Sequence, residues 1–105
     1  MLLTDKNAVI YGAGGRIGSA VARAFAREGA NVFLAGRRQS TLDAVAEQIA
    51  VAGGTAEVAH VDALDPQAIE QHLDAIVKQA GRIDISFNAI WIRGDLQGTP
   101  LIQMP

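Results

Sequence analysis

The stretch Asn7–Ser19, NAVIYGAGGRIGS, runs from apolar residues through four glycines into a helical pattern. The residues that follow the loop at helical spacing are Ile17, Ala20, Val21, Ala24 and Phe25. A strand that turns through glycines into a helix leaves the first N–H groups of that helix unpaired, where the helix dipole favours an anion. Glycines suit such a loop because a Cβ would clash with the turn and with a ligand against the backbone. The stretch therefore predicts a phosphate or pyrophosphate site.

Two arginines follow the second predicted strand, which covers residues 31–35. Arg37 and Arg38 lie about twenty residues past the glycine loop, where a dinucleotide-binding fold places its ribose-reading side chain. An NAD site holds a carboxylate there, but this chain has no carboxylate until Asp43. A guanidinium suits a 2′-phosphate and cannot accept from a hydroxyl, so the pair favours NADP(H) over NAD(H). The alternative is a solvated basic loop before a helix.

Composition limits the class of protein. The 105 residues are half hydrophobic, with 9 basic and 11 acidic side chains and a net charge of −2, which indicates one small globular domain. The absence of a basic run argues against nucleic acid, and no apolar stretch has membrane length. With no cysteine we expect no disulfide and a cytoplasmic location. The two histidines, His60 and His72, leave little material for a metal site, and His72 is interpreted as a boundary residue of its helix.

The rest of the chain repeats the strand–helix alternation. Further strands are predicted at 56–61 and 83–88, and helical stripes run through residues 42–50 and 69–77. Residues 40–43 (Ser-Thr-Leu-Asp) resemble a capping box, and Asp65-Pro66 is typical of an N-cap with proline at the first helical position. The order βαβαβαβ with short loops predicts an α/β, Rossmann-type three-layer sandwich whose parallel strands are ordered 3-2-1-4.

The pattern ends near residue 90. We interpret residues 1–90 as a dinucleotide-binding half-domain and residues 91–105 as an irregular apolar tail that begins at Trp91. A free tail with this composition would promote aggregation, so we expect it to pack on something. The fourth strand is expected at a sheet edge, which calls for a second copy of the chain or a further part of the protein as partner.

At these motifs the chain resembles the short-chain dehydrogenase/reductase family. That family has the pattern T-G-x-x-x-G-x-G after its first strand, and residues 11–18 (YGAGGRIG) occupy it. Tyr11 stands where threonine is usual, and Arg16 stands where the middle glycine is usual. The resemblance implies that the loop cradles a pyrophosphate. Gly15 would supply the backbone freedom one residue early, and Arg16 would reach a phosphate.

The resemblance extends to the ends of the later strands. In members that prefer NADP, a basic residue stands where Arg37 lies. An aspartate that bonds the adenine amino group stands at Asp62, although a turn or capping role for Asp62 is an equal reading from the residues alone. Asn88 begins the segment that in the family reads N-N-A-G, while Trp91 replaces its glycine and would either pack near the nicotinamide or block it. The implied cofactor-binding residues are Gly12, Gly14, Gly15, Arg16, Ile17, Gly18, Arg37, Arg38, Asp62, Ala63, Asn88 and Ala89.

The catalytic serine and Y-x-x-x-K pair of the family have no counterpart here. The only tyrosine is Tyr11, and the lysines are Lys6 and Lys78. The chain is therefore interpreted as the cofactor-binding front half of an NADP-dependent oxidoreductase, with a small-molecule substrate bound only by the intact enzyme. Two alternatives stay open: a non-catalytic NADP(H)-binding or sensing module, and an interaction domain whose cofactor site has degraded. A member with a degraded site would not bind NADPH.

Overall fold

A computed structural model describes residues 2–89 and the backbone of residues 102–103. Its elements are β1 (Asn7–Tyr11), α1 (Arg16–Arg27), β2 (Asn31–Gly36), α2 (Gln39–Val51), β3 (Thr55–His60), α3 (Pro66–Ala80), β4 (Ile85–Asn88) and β5 (Ile102–Gln103). The sheet order is β3-β2-β1-β4-β5, and the first four strands are parallel. The predicted α/β class and the order 3-2-1-4 are confirmed.

Helices cover both faces of the sheet. Ala8 and Ile10 of β1 face a cluster that contains the buried side chains of α1 and α2. Val9 and Tyr11 point the other way, into a cluster with Ile76 of α3. All five residues of β1 are buried, as expected for the central strand of a parallel sheet with both faces covered. The helices on both faces thus bury β1, and the glycine loop begins where this strand ends.

The buried stripe of α1 differs from the predicted one. Gly18, Ala22 and Ala26 are its buried positions, whereas Ile17 is 62% exposed. Small residues at i, i+4 and i+8 allow the helix backbone to lie close to the sheet, and Val21 and Phe25 pack at the side of this contact. The periodicity gave the correct helix, but the stripe is shifted by one position because size as well as hydropathy determines the contact face.

The predicted capping box at residues 40–43 is wrong. Helix α2 begins at Gln39, its N-cap is Arg38, and no side chain caps it. The Thr41 hydroxyl instead donates to the Arg38 carbonyl at 2.9 Å. Because only Arg37 and Arg38 separate β2 from α2, the helix starts earlier than the motif suggested. Strands β3 and β4 also differ by one or two residues at their ends from the predicted ranges.

The start of α3 agrees with its prediction. Asp65 is the N-cap, its Oδ1 accepts from the Gln67 and Ala68 N–H groups at 3.0 and 3.4 Å, and Pro66 takes the first helical position. Val77, which the predicted stripe included, is 45% exposed. The side chain of Ile76 is the buried contact of this helix.

The expectation that β4 lies at an edge is wrong. Residues Ile102–Gln103 form a short antiparallel strand, β5, against Ser86 and Phe87 of β4. The tail from residue 91 is therefore not irregular at these two positions, because they pair with the N–H and C=O groups that β4 would otherwise leave open. The other tail residues, Trp91 among them, lie outside the described residues.

None of the helices within residues 2–89 combines the length and the apolar character needed to cross a bilayer.

Candidate functional site

The carboxyl ends of the four parallel strands meet at one edge of the sheet. From β1 the chain moves outward to β2 and β3, and it then returns across β1 to β4 on the other side. The strand order therefore reverses between β1 and β4, and open α/β sheets bind ligands in the crevice at such a switch point. The predicted site residues all lie at this edge, in the loops, in the strand ends or in the first turn of α1.

The glycine loop makes a tight turn over the end of β2. The N–H groups of Gly12 and Ala13 both donate to the Ala35 carbonyl, at 2.9 and 3.1 Å, and Gly15 N–H donates back to the Gly12 carbonyl at 3.1 Å. Gly12 has φ +74°, a left-handed conformation that side chains strongly disfavour. The turn therefore needs glycine at position 12 for its backbone conformation.

Gly18 is needed for a different reason. A Cβ at this position would collide with the Gly12 carbonyl oxygen, and it would lie 3.0 Å from the Cα of Ala13. The first turn of α1 thus lies directly on the glycine loop, with no room for a side chain between them. This contact brings the helix N-terminus close to the end of β1, as the dinucleotide-binding motif requires.

The N-terminus of α1 carries no negatively charged side chain of its own. Gly15 is its N-cap, no side chain caps the helix, and its first turn contains no acidic residue. The first bond of the helix runs from Ser19 N–H to the Gly15 carbonyl at 2.9 Å, so the N–H groups of Arg16 and Ile17 precede the bonded ladder. Both side chains are exposed. This end of α1 therefore presents N–H donors and the positive end of the dipole to the crevice.

An open groove of about 540 Å³ runs from the glycine loop to the start of α2. Its lining residues are Gly12, Gly14, Gly15, Gly36, Arg37, Arg38, Thr41 and Leu42. Five of the predicted site residues thus line one groove: three loop glycines and both arginines. No carboxylate is among the lining residues, so the groove is electrostatically positive.

The side chains of Arg37 and Arg38 are exposed, so their guanidinium groups can reach a ligand in the groove. Within residues 2–89 the ion pair that the structure contains is Arg82 with Asp84, and neither groove arginine takes part in one. A guanidinium without a carboxylate partner retains its five donors for a phosphate. The arrangement is suited to binding a phosphate monoester at the end of β2.

Asp62 has an observed turn role. Its Oδ1 accepts from the Leu64 N–H at 2.9 Å, which fixes the bend between β3 and α3. Asp62 itself is exposed, and the neighbouring Ala63 is buried against the α3 face of the sheet. Binding of an adenine amino group by Asp62 stays a prediction, and both residues lie outside the groove lining.

Asn88 and Ala89 lie beside the end of β1. Asn88 pairs in register with Tyr11, and Ala89 N–H donates to the Tyr11 carbonyl at 2.9 Å. This bond extends the β1–β4 ladder to the first residue after β4. Both residues therefore lie at this edge of the sheet, on the opposite side of β1 from the arginines, and their contact with a cofactor stays a prediction. The effect of Trp91 on this region falls outside the described residues.

Sequence reasoning missed three groove residues: Gly36, Thr41 and Leu42. Thr41 lies against the glycine loop, because a Cβ on Gly14 would collide with its hydroxyl oxygen. The sequence patterns place Thr41 in a capping box and Leu42 in a core stripe. One signal was available: they stand one helical turn after the arginine pair, and the N-terminal turn of a helix lies near the residues that precede it.

Tyr11 and His72 form a partly buried pair behind the loop. The Tyr11 hydroxyl and His72 Nδ1 are 3.2 Å apart, and the rings meet edge to face with centroids 5.7 Å apart. Burial raises the pKa of Tyr11 to about 12 and lowers the pKa of His72. Neutral His72 with its proton on Nε2 accepts the tyrosine O–H at Nδ1. The contact ties α3 to the last residue of β1, and His72 has this packing role rather than a role in the groove.

The lowered pKa of His72 makes folding sensitive to acid. The unfolded chain protonates His72 more readily than the folded chain does. The contribution of His72 to the free energy of unfolding is therefore full above the unfolded pKa of about 6.5, and it decreases as the pH falls below that value. We expect the free energy of unfolding to be smaller at pH 5 than at pH 7.5, and the difference to shrink in His72→Gln. Urea titrations at the two pH values measure both effects, with His60→Gln as control for loss of a histidine. An equal pH dependence in His72→Gln and the unsubstituted protein would contradict this prediction.

Among the residues of known placement, no three His, Cys, Asp or Glu side chains gather in a group suited to a metal ion.

Curated relatives match the same region of the chain. An uncharacterised oxidoreductase of Mycobacterium tuberculosis is 44% identical over 88 residues, which are 84% of this chain and 34% of the relative. Meso-2,3-butanediol dehydrogenase of Serratia marcescens is 38% identical over 88 residues, with 84% of this chain and 34% of the relative covered. The chain thus spans about a third of the length of these relatives.

Solved structures share the fold. A metagenomic short-chain oxidoreductase in complex with NADP superposes with a TM-score of 0.83 and 34% identity, over 88% of this chain and 42% of that one. The sequence profile of the family described as short chain dehydrogenase matches residues 6–95, which include every predicted site residue. The chain belongs to the short-chain dehydrogenase family.

Proposed function

We propose that this chain is the NADP(H)-binding part of a short-chain dehydrogenase/reductase that transfers hydride between the nicotinamide and a carbonyl or alcohol substrate. In this proposal the residues 12–18 hold the pyrophosphate and Arg37 with Arg38 hold the 2′-phosphate. Asp62 and Ala63 lie along the adenine, and Asn88 and Ala89 lie under the adenosine ribose. The substrate and the direction of the reaction belong to the intact enzyme.

The observation that carries the proposal is the positive groove between the glycine loop and α2. One end is the uncapped N-terminus of α1, which suits a pyrophosphate. The other end holds two exposed guanidinium groups without a carboxylate in the lining. An NAD site would need an acceptor for the ribose 2′-hydroxyl there, so the groove favours the 2′-phosphorylated dinucleotide. The NADP bound by the metagenomic relative supports the same choice.

The glycine lining of the groove also supports the proposal. Side chains are absent where the dinucleotide would lie against the backbone, since Gly12, Gly14 and Gly15 line that part of the groove. The bound nicotinamide would supply the hydride chemistry, and these residues would supply binding and orientation. The proton that a carbonyl substrate needs is not available from Tyr11, which is 2% exposed and contacts His72.

Titration with NADPH and NADH, followed by nicotinamide fluorescence, tests the proposal. We expect saturable binding of NADPH, weaker binding of NADH, and no carbonyl reduction by the 105-residue chain alone. NADPH binding distinguishes this function and the sensing module from an interaction domain with a degraded site. Carbonyl reduction by the chain alone would contradict our assignment of its residues to binding, and equal affinity for both cofactors would contradict the NADP assignment.

Two further features stay predictions of the sequence: self-association, which sedimentation velocity measures, and a cytoplasmic location, which cell fractionation measures. Substrate use is to be measured on a protein of the full length of the curated relatives, of which this chain covers about a third.

A further inference from the structure

We propose that His60 is a positioning residue for NADP(H) selectivity, because it holds the backbone of Arg37 in place for the 2′-phosphate. This inference rests on the proposed function of the groove. His60 is the last residue of β3, and its Nε2 lies 2.8 Å from the Arg37 carbonyl oxygen. Neither the sequence motifs nor the groove lining includes His60, so the inference adds a residue outside the site described above.

The contact lies where the sheet ladder ends. Gly36 and His60 are the last residues in register between β2 and β3, and the Gly36 carbonyl accepts from Val61 N–H at 2.9 Å. The next carbonyl, that of Arg37, lies one residue beyond the paired strands. The imidazole of His60 donates to it and so extends the attachment of β2 to β3 by one residue.

The direction of this hydrogen bond follows from its acceptor. A carbonyl oxygen only accepts, so Nε2 of His60 carries the hydrogen. The same N–H is present in the neutral Nε2–H tautomer and in the imidazolium. His60 therefore holds Arg37 in either charge state, and the Nε2 atom is occupied by the backbone rather than free for a phosphate.

The second carbonyl of the connection is held as well. Arg38 O accepts from the Leu42 N–H at 3.2 Å and from the Thr41 hydroxyl at 2.9 Å. Both carbonyls of the two-residue link between β2 and α2 are thus fixed by side chains or helix N–H groups. A link held before binding loses less freedom when its arginines engage a phosphate, which raises affinity without a new contact to the ligand.

Loss of the His60 contact should therefore weaken NADPH selectively. In His60→Ala we expect NADPH to bind about three- to tenfold more weakly, the range of one ordinary hydrogen bond, while NADH affinity changes by less than about twofold. His60→Gln, which keeps a terminal N–H donor, is expected to restore most of the affinity. Thr55→Ala, at the opposite end of the same strand, is the matched control and should leave both affinities unchanged.

The measurement is a fluorescence titration of the full chain with each cofactor, with thermal unfolding of every variant beside it. Equal weakening of NADPH and NADH in His60→Ala, or no weakening of either, would overturn the inference. A failure of His60→Gln to restore NADPH affinity would do the same, because it would mean that the N–H donor is not what matters.

A second measurement separates this inference from the proposed function. Nitrogen-15 NMR of the free protein is expected to show the hydrogen of neutral His60 on Nε2, coupled to a carbonyl acceptor; a predominant Nδ1–H form would overturn the inference with no cofactor involved. Equal NADPH and NADH affinity in the unsubstituted protein would instead contradict the NADP assignment of the proposed function. The role of His60 in selectivity would then be contradicted as well. If NADPH binds selectively and its affinity is unchanged in His60→Ala, the inference about His60 is wrong and the proposed function still stands.

Discussion

Arg37→Asp is expected to weaken NADPH binding by at least about 30-fold, which corresponds to about 2 kcal/mol. The substitution removes a charge-assisted bond to the 2′-phosphate and places a carboxylate beside it, so attraction becomes repulsion. NADH has no phosphate there, and its ribose hydroxyl gains an acceptor of the kind that NAD sites use. We therefore expect the preference for NADPH over NADH to reverse. Parallel titrations with the two cofactors measure this.

A matched control for the charge change is Arg23→Asp. Arg23 lies on α1, away from the groove lining, and its Nη1 donates to Gln48 Oε1 at 3.2 Å. The net charge of this variant changes by the same amount as in Arg37→Asp, so general electrostatic attraction of the cofactor falls equally. If Arg23→Asp weakens NADPH as much as Arg37→Asp does, the effect is one of overall charge and the 2′-phosphate assignment is wrong. Raising the salt concentration should reduce a general effect more than a direct contact.

The sequence was most informative where function and local backbone geometry impose the same residues. Gly12 to Gly18 combined a turn, a helix start and an anion site in one segment, and each of these has a local signature. Asp65-Pro66 similarly marked a helix start without reference to the rest of the chain. Alternation of strands and helices then restricted the topology, because parallel crossovers are right-handed. Fold class and strand order followed from these local signals.

The sequence was less informative where a contact depends on residues that are distant along the chain. The buried stripe of α1 follows the small residues Gly18, Ala22 and Ala26, because the helix lies close to the glycine loop and the sheet. The His60 contact with Arg37 joins residues 23 positions apart and follows from strand register. The strand at residues 102–103 is two residues long, too short for any periodicity to reveal it. Each of these features is set by packing, which hydropathy patterns do not record.

Gly12→Val is expected to abolish detectable NADPH binding while the helix content stays nearly unchanged. Gly12 has φ +74°, where a β-branched residue is strained by about 1–3 kcal/mol. The strain acts on a turn whose N–H groups bond to Ala35, and whose carbonyl contacts the first turn of α1. Relief of the strain must therefore displace the loop that presents the helix N-terminus to the pyrophosphate. Circular dichroism and an NADPH titration measure the two parts of the prediction.

Gly53→Val is the control that distinguishes a changed glycine-loop geometry from a general decrease in the free energy of unfolding. Gly53 has φ +91°, a Cβ placed on it would meet no atom within 4 Å, and it follows the C-terminus of α2, outside the groove. The backbone strain of a valine is thus similar at positions 12 and 53, whereas only position 12 lies at the site. We expect both variants to lose comparable free energy of unfolding and only Gly12→Val to lose the cofactor. If Gly53→Val also fails to bind NADPH, marginal stability rather than loop geometry controls binding, since strain far from the groove would then be sufficient.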